Sequence, residues 1–142
     1  MISFNRFSLP LVSLFMLALA SFTSSTKTVS QFSVAKTVAR DNQNSRLMHV
    51  ILSISNDNPT SGFAKMEEQL SFTGGQVTFL NLQGGVGSFK DSKIKIIWTN
   101  FLQKKDNKYY IQYDVLLPEN ESYSGKSYIK YVEKDEIKKF DF

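Results

Sequence analysis

No cysteine occurs anywhere in the 142 residues. The chain therefore has no disulfide framework and no thiolate metal site, and packing alone must stabilise its fold. Histidine and tryptophan are nearly absent too, with one of each, His49 and Trp98. Such a composition fits the periplasm or a bacterial cell surface better than a small disulfide-rich secreted module.

No apolar run is long enough to form a membrane-spanning helix after the first 20 residues. The start of the chain has the pattern of a signal peptide, because Arg6 precedes the short apolar run 8–17, and Ala18-Leu19-Ala20 is a small-x-small cleavage site. We predict cleavage after Ala20, a flexible leader at 21–28 and one domain at 29–142. The protein is then exported to the periplasm, the cell surface or the medium, with no transmembrane span after cleavage; an uncleaved anchor is the alternative.

No recognisable catalytic or metal-binding constellation is present. His49 lies on the polar face of a predicted strand, where we expect a surface histidine, and a single His without Cys excludes the common zinc ligand sets. Glu67 and Glu68 are neighbours on an extended segment, so their carboxylates point to opposite faces and do not converge. The glycines of 84–88 lack the Lys-Ser/Thr of a phosphate loop. The asparagine-rich turns have oxygen ligands but not the spacing of a calcium loop. We predict no cofactor, no metal and no enzymatic activity.

The charges are of mixed sign along the chain, with 17 basic and 13 acidic residues. The segments 104–108 and 133–139 both alternate lysines with acids and are typical of solvated hairpin ends. The lysines form no stripe in the sequence, so we do not expect nucleic acid as a partner.

Period-two alternation of apolar residues dominates the rest of the sequence. It is clearest in three segments, 47–55, 94–102 and 109–117, whose apolar residues share one face of a strand: Met48, Val50, Leu52 and Ile54; Ile94, Ile96 and Trp98; Tyr109, Ile111, Tyr113, Val115 and Leu117. Further strands are predicted at 30–38, 76–82, 126–132 and 137–142, with a hairpin turn at 104–108 and a glycine-rich loop at 83–93. Seven or eight short strands with no βαβ rhythm predict an all-β fold, an antiparallel two-sheet sandwich, with a closed barrel as the alternative.

The segment "SGFAKMEEQLSFTGG" (61–75) is ambiguous. It is either a strand followed by a loop or one amphipathic helical turn, because Phe63, Met66 and Leu70 also fit a period of 3.6.

Aromatic residues supply the candidate ligand or partner surface. Trp98 could form a platform for sugar rings with three tyrosines of the following strand, although its face also carries Ile94 and Ile96, which favours a core position. The candidate surface residues are Trp98, Tyr109, Tyr110, Tyr113 and Phe63.

Three stretches, 61–70, 84–101 and 109–133, together resemble a domain of exported proteins of Bacteroidota, similar in plan to cohesin modules and to the repeats of bacterial surface adhesins. The matching positions are Gly62-Phe63-Ala64-Lys65, Phe89, Ile97-Trp98, Tyr113 and Tyr128-Ile129, and the match covers about residues 47–133. One departure is Ser71, where the pattern has Pro. The resemblance implies an immunoglobulin-like or cohesin-like sandwich and transfers no catalytic residues. For segment 61–75 it implies a strand followed by a loop, with Phe63 as an anchor, solvated glutamates, and Leu70 and Phe72 turning back into the core.

Three functions follow as hypotheses. The first is a non-enzymatic envelope or surface protein that binds another envelope or surface protein through a strand edge or the loops at 56–62, 83–92 and 118–126. The second is a carbohydrate-binding module that uses Trp98 and the hairpin tyrosines. The third is a small hydrolase in which Asp114 joins an acid on a neighbouring strand. The sequence does not define the oligomeric state.

Overall fold

The computed structural model describes residues 22–29, 32–103 and 108–142. They form ten strands: β1 (Phe22–Val29), β2 (Phe32–Arg40), β3 (Leu47–Asn56), β4 (Gly62–Leu70), β5 (Gln76–Asn81), β6 (Val86–Lys90), β7 (Lys93–Phe101), β8 (Lys108–Leu116), β9 (Gly125–Glu133) and β10 (Glu136–Asp141). The predicted signal peptide and most of the turn at 104–108 lie outside the described residues.

Two antiparallel sheets of five strands each are present, which confirms the predicted sandwich. Sheet A has the order β1-β2-β3-β8-β5 and sheet B the order β10-β9-β4-β7-β6. β3, which contains the alternating segment 47–55, is the central strand of sheet A, and β4 is the central strand of sheet B.

The core lies between the sheets and consists of the alternate residues that the period-two pattern selects. The apolar residues predicted for β3, β7 and β8 are all buried in one hydrophobic cluster, which Leu70 and Phe72 also join as expected. Segment 61–75 is therefore strand β4 followed by a loop, and the helical alternative is wrong.

Two predicted loops are strands instead. The leader predicted at 21–28 differs from the structure, because Phe22–Val29 pair with β2 along their whole length. Likewise, the glycine-rich segment 83–93 contains β6, which pairs with β7. Both are edge strands, so one side of each needs no partner, and neither shows the apolar alternation of a central strand.

A bulge interrupts the pairing of β4 with β7 between Gly62 and Ala64. Gly62 has φ +97°, and a Cβ there would lie 2.6 Å from the carbonyl oxygen of Thr99, so both the backbone conformation and the space require glycine. Phe63 has the outward position that the regular alternation along β4 gives it, and 51% of it is exposed on the outer side of sheet B. Phe63 is therefore not the anchor that the sequence predicted.

Candidate interaction surfaces and a buried polar cluster

The five aromatic residues of the candidate surface do not lie together. Trp98, Tyr109 and Tyr113 are buried between the sheets. Tyr110 is exposed on the outer side of sheet A, whereas Phe63 is exposed on the outer side of sheet B. The predicted set is therefore divided into three core residues and two residues on opposite faces.

Trp98 occupies the core, as its alternation with Ile94 and Ile96 favoured. Its indole Nε1 donates a hydrogen bond of 2.6 Å to the carbonyl oxygen of Leu82, and its ring centroid lies 5.2 Å from that of Phe101. With the indole fully buried and its donor satisfied, Trp98 offers no surface on which a sugar ring could stack.

The outer side of sheet A carries a patch without charge, which we call the neutral face. Two rows of paired residues cross four strands, and their members are Thr26, Ala35, Ser53 and Tyr110 in one row and Ser24, Thr37, Ile51 and Gln112 in the other. Within this small, hydroxyl-rich patch Tyr110 is 49% exposed and Ile51 is 40% exposed. The neutral face therefore combines low charge with two accessible apolar side chains.

His49 lies beyond one end of the neutral face, between two carboxylates. Its Nδ1 is 2.8 Å from Asp114 Oδ1 and its Nε2 is 3.1 Å from Asp41 Oδ2. These hydrogen bonds, that to Asp114 first, raise the pKa of His49. The hydrogen bond with His49 lowers the pKa of Asp41, and so do the hydrogen bonds that its carboxylate accepts from the backbone amides of Gln43 and Asn44.

The imidazole of His49 therefore links Asp114 of β8 to Asp41, which directly follows β2. Both ring nitrogens are engaged and the surroundings favour the imidazolium form, so the ring has no free nitrogen with which to accept a substrate proton. The arrangement stabilises a charge and is poorly suited to general-base catalysis.

A buried polar cluster around Glu68 was not predicted. Glu68 was expected in solvent, yet it is fully buried, because it has the same inward parity on β4 as Met66 and Leu70. Lys36 has the inward parity on β2, and its Nζ lies 2.5 Å from Glu68 Oε1 across the sandwich. The prediction that Glu67 and Glu68 face opposite ways is correct, and Glu68 is the inward one.

The remaining contacts of the Glu68 carboxylate are tyrosine hydroxyls. Tyr113 donates to Oε2 and Tyr123 donates to Oε1, while Lys36 also donates to Ser127 Oγ at 3.2 Å. Burial first, and the nearby Glu68 carboxylate second, raise the pKa of both tyrosines, which therefore stay protonated as donors. The cluster joins the two sheets and the loop that contains Tyr123, so its role is to fix their relative position.

A groove of about 660 Å³ opens above this cluster, between β1 and β2 on one side and residues 122–125 on the other. Its rim is rich in hydroxyl groups, including those of Thr23, Ser25 and Ser124. The ammonium group of Lys36 is already held by Glu68 and Ser127, so this lysine brings little free charge to the groove.

A smaller pocket of about 360 Å³ lies at the end of the sandwich where β3 ends. Asn58 Nδ2 donates to Glu133 Oε1 at 2.9 Å there, and the buried Oδ1 of Asn56 has no hydrogen-bond partner. The lining also includes Lys134, Lys138 and Lys139 together with Glu136, whose Oε2 lies 2.6 Å from Lys138 Nζ, so its charges are of mixed sign. Within residues 22–29, 32–103 and 108–142, no group of three or more His, Cys, Asp or Glu could hold a metal ion.

The outer side of sheet B concentrates lysines, and we call it the basic face. One row of paired residues crosses all five strands as Lys139, Lys130, Lys65, Ile97 and Val86. The outward residues of the next rows add four more, so the lysines of the face are Lys65, Lys90, Lys93, Lys95, Lys126, Lys130 and Lys139. The expectation that lysines form no stripe is wrong for the folded chain, because strand register gathers lysines that are distant in sequence.

Two carboxylates on the basic face are paired within it. Glu67 accepts a hydrogen bond from Tyr128 and lies 3.0 Å from Lys65 Nζ, and Asp141 lies 2.8 Å from Lys139 Nζ. The hydrogen bond raises the pKa of Tyr128 to about 12 and lowers that of Glu67. Seven lysines against these two carboxylates leave the face with an excess of five positive charges.

Comparison with models of known protein families and with curated proteins finds no match. Among the residues that the structure describes, no helix is long and apolar enough to cross a membrane.

Proposed function

We propose that this protein is an exported, non-enzymatic envelope or surface protein whose sandwich binds another envelope or surface protein. The observation that carries the proposal is the neutral face. Export rests on the signal-peptide pattern of residues 1–20.

The composition of the neutral face matches the core of a protein interface. Such cores are depleted of charge and enriched in exposed aromatic side chains. Tyr110 has an apolar ring, a polar tip and few rotatable bonds, so it loses little conformational entropy when a partner covers it. Ile51 lies on the adjacent strand in the neighbouring row and adds aliphatic contact area.

The small side chains around these two residues support the same function. Ala35, Thr37 and Ser53 leave the sheet surface low and flat, so a partner can approach the backbone closely. The hydroxyl groups of Thr37 and Ser53 can form hydrogen bonds with a partner at the rim of the contact. This surface favours the whole sheet face over the strand edges and loops as the main contact region.

Site-specific crosslinking in intact cells of the native host tests the proposal. A photoreactive amino acid replaces Tyr110 or Ile51 in two variants, and Glu121, exposed in the loop before β9, in a control variant. We expect Tyr110 and Ile51 to crosslink the same envelope protein and Glu121 to crosslink it weakly or not at all.

A charge variant provides a second measurement. Ile51→Glu places a carboxylate in the middle of the proposed contact, whereas Ser122→Glu adds the same charge at an exposed loop position. We expect Ile51→Glu to reduce co-purification of the crosslinked partner at least 10-fold, since burying an unpaired charge is costly. Equal co-purification by both variants, or no envelope protein among the crosslinked products, would refute the proposal.

A further inference from the structure

The charge of the chain is segregated onto one side of the molecule. Among the residues that the structure describes, the strands of the basic face present seven lysines and two acidic residues on its outer side. The other described residues include seven basic and ten acidic ones, so their net charge is negative. A local excess of five positive charges on one flat sheet face attracts an anionic surface.

Exposed apolar residues border the lysines on the same face. Ile137 is 76% exposed and pairs with Val132 on β9. Phe63 is 51% exposed and precedes Ala64, which pairs with Tyr131 on the same strand β9. Val86 is 74% exposed and pairs with Ile97. These side chains lie among or beside the lysine row and are not covered by any described part of the chain. An apolar border beside a basic surface is the composition of a membrane-interface binding element.

From this juxtaposition we propose that the basic face rests on the surface of an anionic phospholipid bilayer. Lysine ammonium groups contact the phosphates, and Phe63, Ile137 and Val86 enter the region between headgroups and acyl chains. Five strands spaced about 4.8 Å apart give a face roughly 20 Å wide, which covers several lipid headgroups at once.

The same residues suit other anionic partners less well. Lysine is depleted at the cores of protein interfaces, where ordering its long side chain is costly. An acidic polysaccharide would pair with the lysines but would leave the aliphatic side chains in water. A bilayer can contact both the lysines and the apolar side chains, because the aliphatic part of a lysine lies along apolar surface while its ammonium group stays at the headgroups.

Vesicle sedimentation tests the inference with the processed protein purified from its host. Vesicles contain either phosphatidylcholine alone or an equal mixture of phosphatidylglycerol and phosphatidylcholine. We expect binding to the mixed vesicles, little binding to phosphatidylcholine, and weaker binding as salt increases, since salt screens the attraction.

Matched variants identify the face that binds. Replacing Lys65, Lys130 and Lys139 together by Gln should weaken binding by on the order of 100-fold, at about 5-fold for each lysine near an anionic surface. Replacing Lys108, Lys134 and Lys138 by Gln removes the same charge elsewhere and should weaken it much less. Phe63→Ser should also reduce binding, whereas Leu80→Ser, at an exposed position on β5, should not. A melting temperature for each variant verifies folding.

Each contrary result overturns the inference. Equal binding to both vesicle types, or equal losses from the two lysine triples, would refute a basic-face contact. If soluble polyglutamate binds as tightly as the vesicles and Phe63→Ser has no effect, the face recognises anionic polymers and not a bilayer. The inference rests on the proposed envelope location but not on the neutral face. A failure of vesicle binding would therefore leave the crosslinking result through Tyr110 intact, and a failure of crosslinking would leave the vesicle result intact.

Discussion

Glu68 has a carboxylate at a fully buried position, and its partners come from three different parts of the chain. Lys36 belongs to β2, Tyr113 to β8 and Tyr123 to the loop before β9. A buried charge of this kind is tolerated only while its partners remain in place. The cluster therefore makes the stability of the fold depend on the relative position of both sheets.

Glu68→Gln is expected to lower the free energy of unfolding by about 3–5 kcal/mol, because the Lys36 ammonium group would stay buried without a counter-charge. Glu67→Gln is the matched control on the adjacent outward position, and its expected loss is about 1 kcal/mol or less. Urea unfolding of both variants measures the difference. Adding Lys36→Met to Glu68→Gln should recover part of the loss, since the two residues are coupled. Similar losses for Glu67→Gln and Glu68→Gln would show that the buried pair has no special role.

His49 makes the stability depend on pH in a predictable direction. Its pKa is raised in the folded protein, so the folded state binds the proton more tightly than the unfolded state. The stabilisation is fully present below the unfolded pKa of about 6.5 and is lost as the pH rises through the folded pKa. Because the pKa of Asp41 is lowered, its own contribution is present above its unfolded pKa and is lost as the solution becomes strongly acidic.

Unfolding experiments between pH 5.5 and 8.5 test the His49 contribution, a range set by the titration of histidine. The stability of the unmodified protein should decrease as the pH rises, and His49→Gln should flatten that decrease, because the chain has no other histidine. Asn44→Gln, in the exposed turn after Asp41, is a control that leaves the imidazole in place. An unchanged pH dependence in His49→Gln would contradict this assignment.

At the scale of strands, local alternation carried most of the information about the fold. β3, β7 and β8 each place apolar residues at every second position and pack on a shared core, so their faces could be read directly from the sequence. β1 and β6 were missed because edge strands need fewer apolar residues, and β6 contains Gly87, where a Cβ would approach Phe79 and Leu82 to 2.8 Å.

The candidate surfaces were harder to predict because pairing register creates them. Lys65, Lys130 and Lys139 are far apart in sequence and become neighbours only when β4, β9 and β10 align. Glu68 and Lys36 are likewise 32 residues apart and meet across the sandwich. The sequence contained one local indication of this pair. Lys36 and Glu68 each occupy a position where the alternation of the strand otherwise places an apolar side chain toward the core.

At the scale of the whole molecule, the two sheets present opposite outer faces with different chemistry. Sheet A presents uncharged, small side chains around Tyr110 and Ile51, and sheet B presents lysines with an apolar border. Because the sheets of a sandwich are about 10 Å apart, the two faces point away from each other and one contact does not obstruct the other. A protein bound to a bilayer by the basic face would hold the neutral face toward a partner.

This orientation predicts a specific pattern of lysine protection on vesicles. When the processed protein is bound to vesicles of phosphatidylglycerol and phosphatidylcholine, acetylation of Lys65 and Lys130 by a soluble amine reagent should slow several-fold, since lipid covers the ammonium groups. Lys108, which pairs with Ser55 on the outer side of sheet A, should react at its rate in free solution. Mass spectrometry of the acetylated peptides measures each rate, with pure phosphatidylcholine vesicles as the control. Equal slowing at Lys108 and Lys130 would mean that the molecule has no fixed orientation on the bilayer, and slowing at Lys108 alone would place sheet A against the lipid.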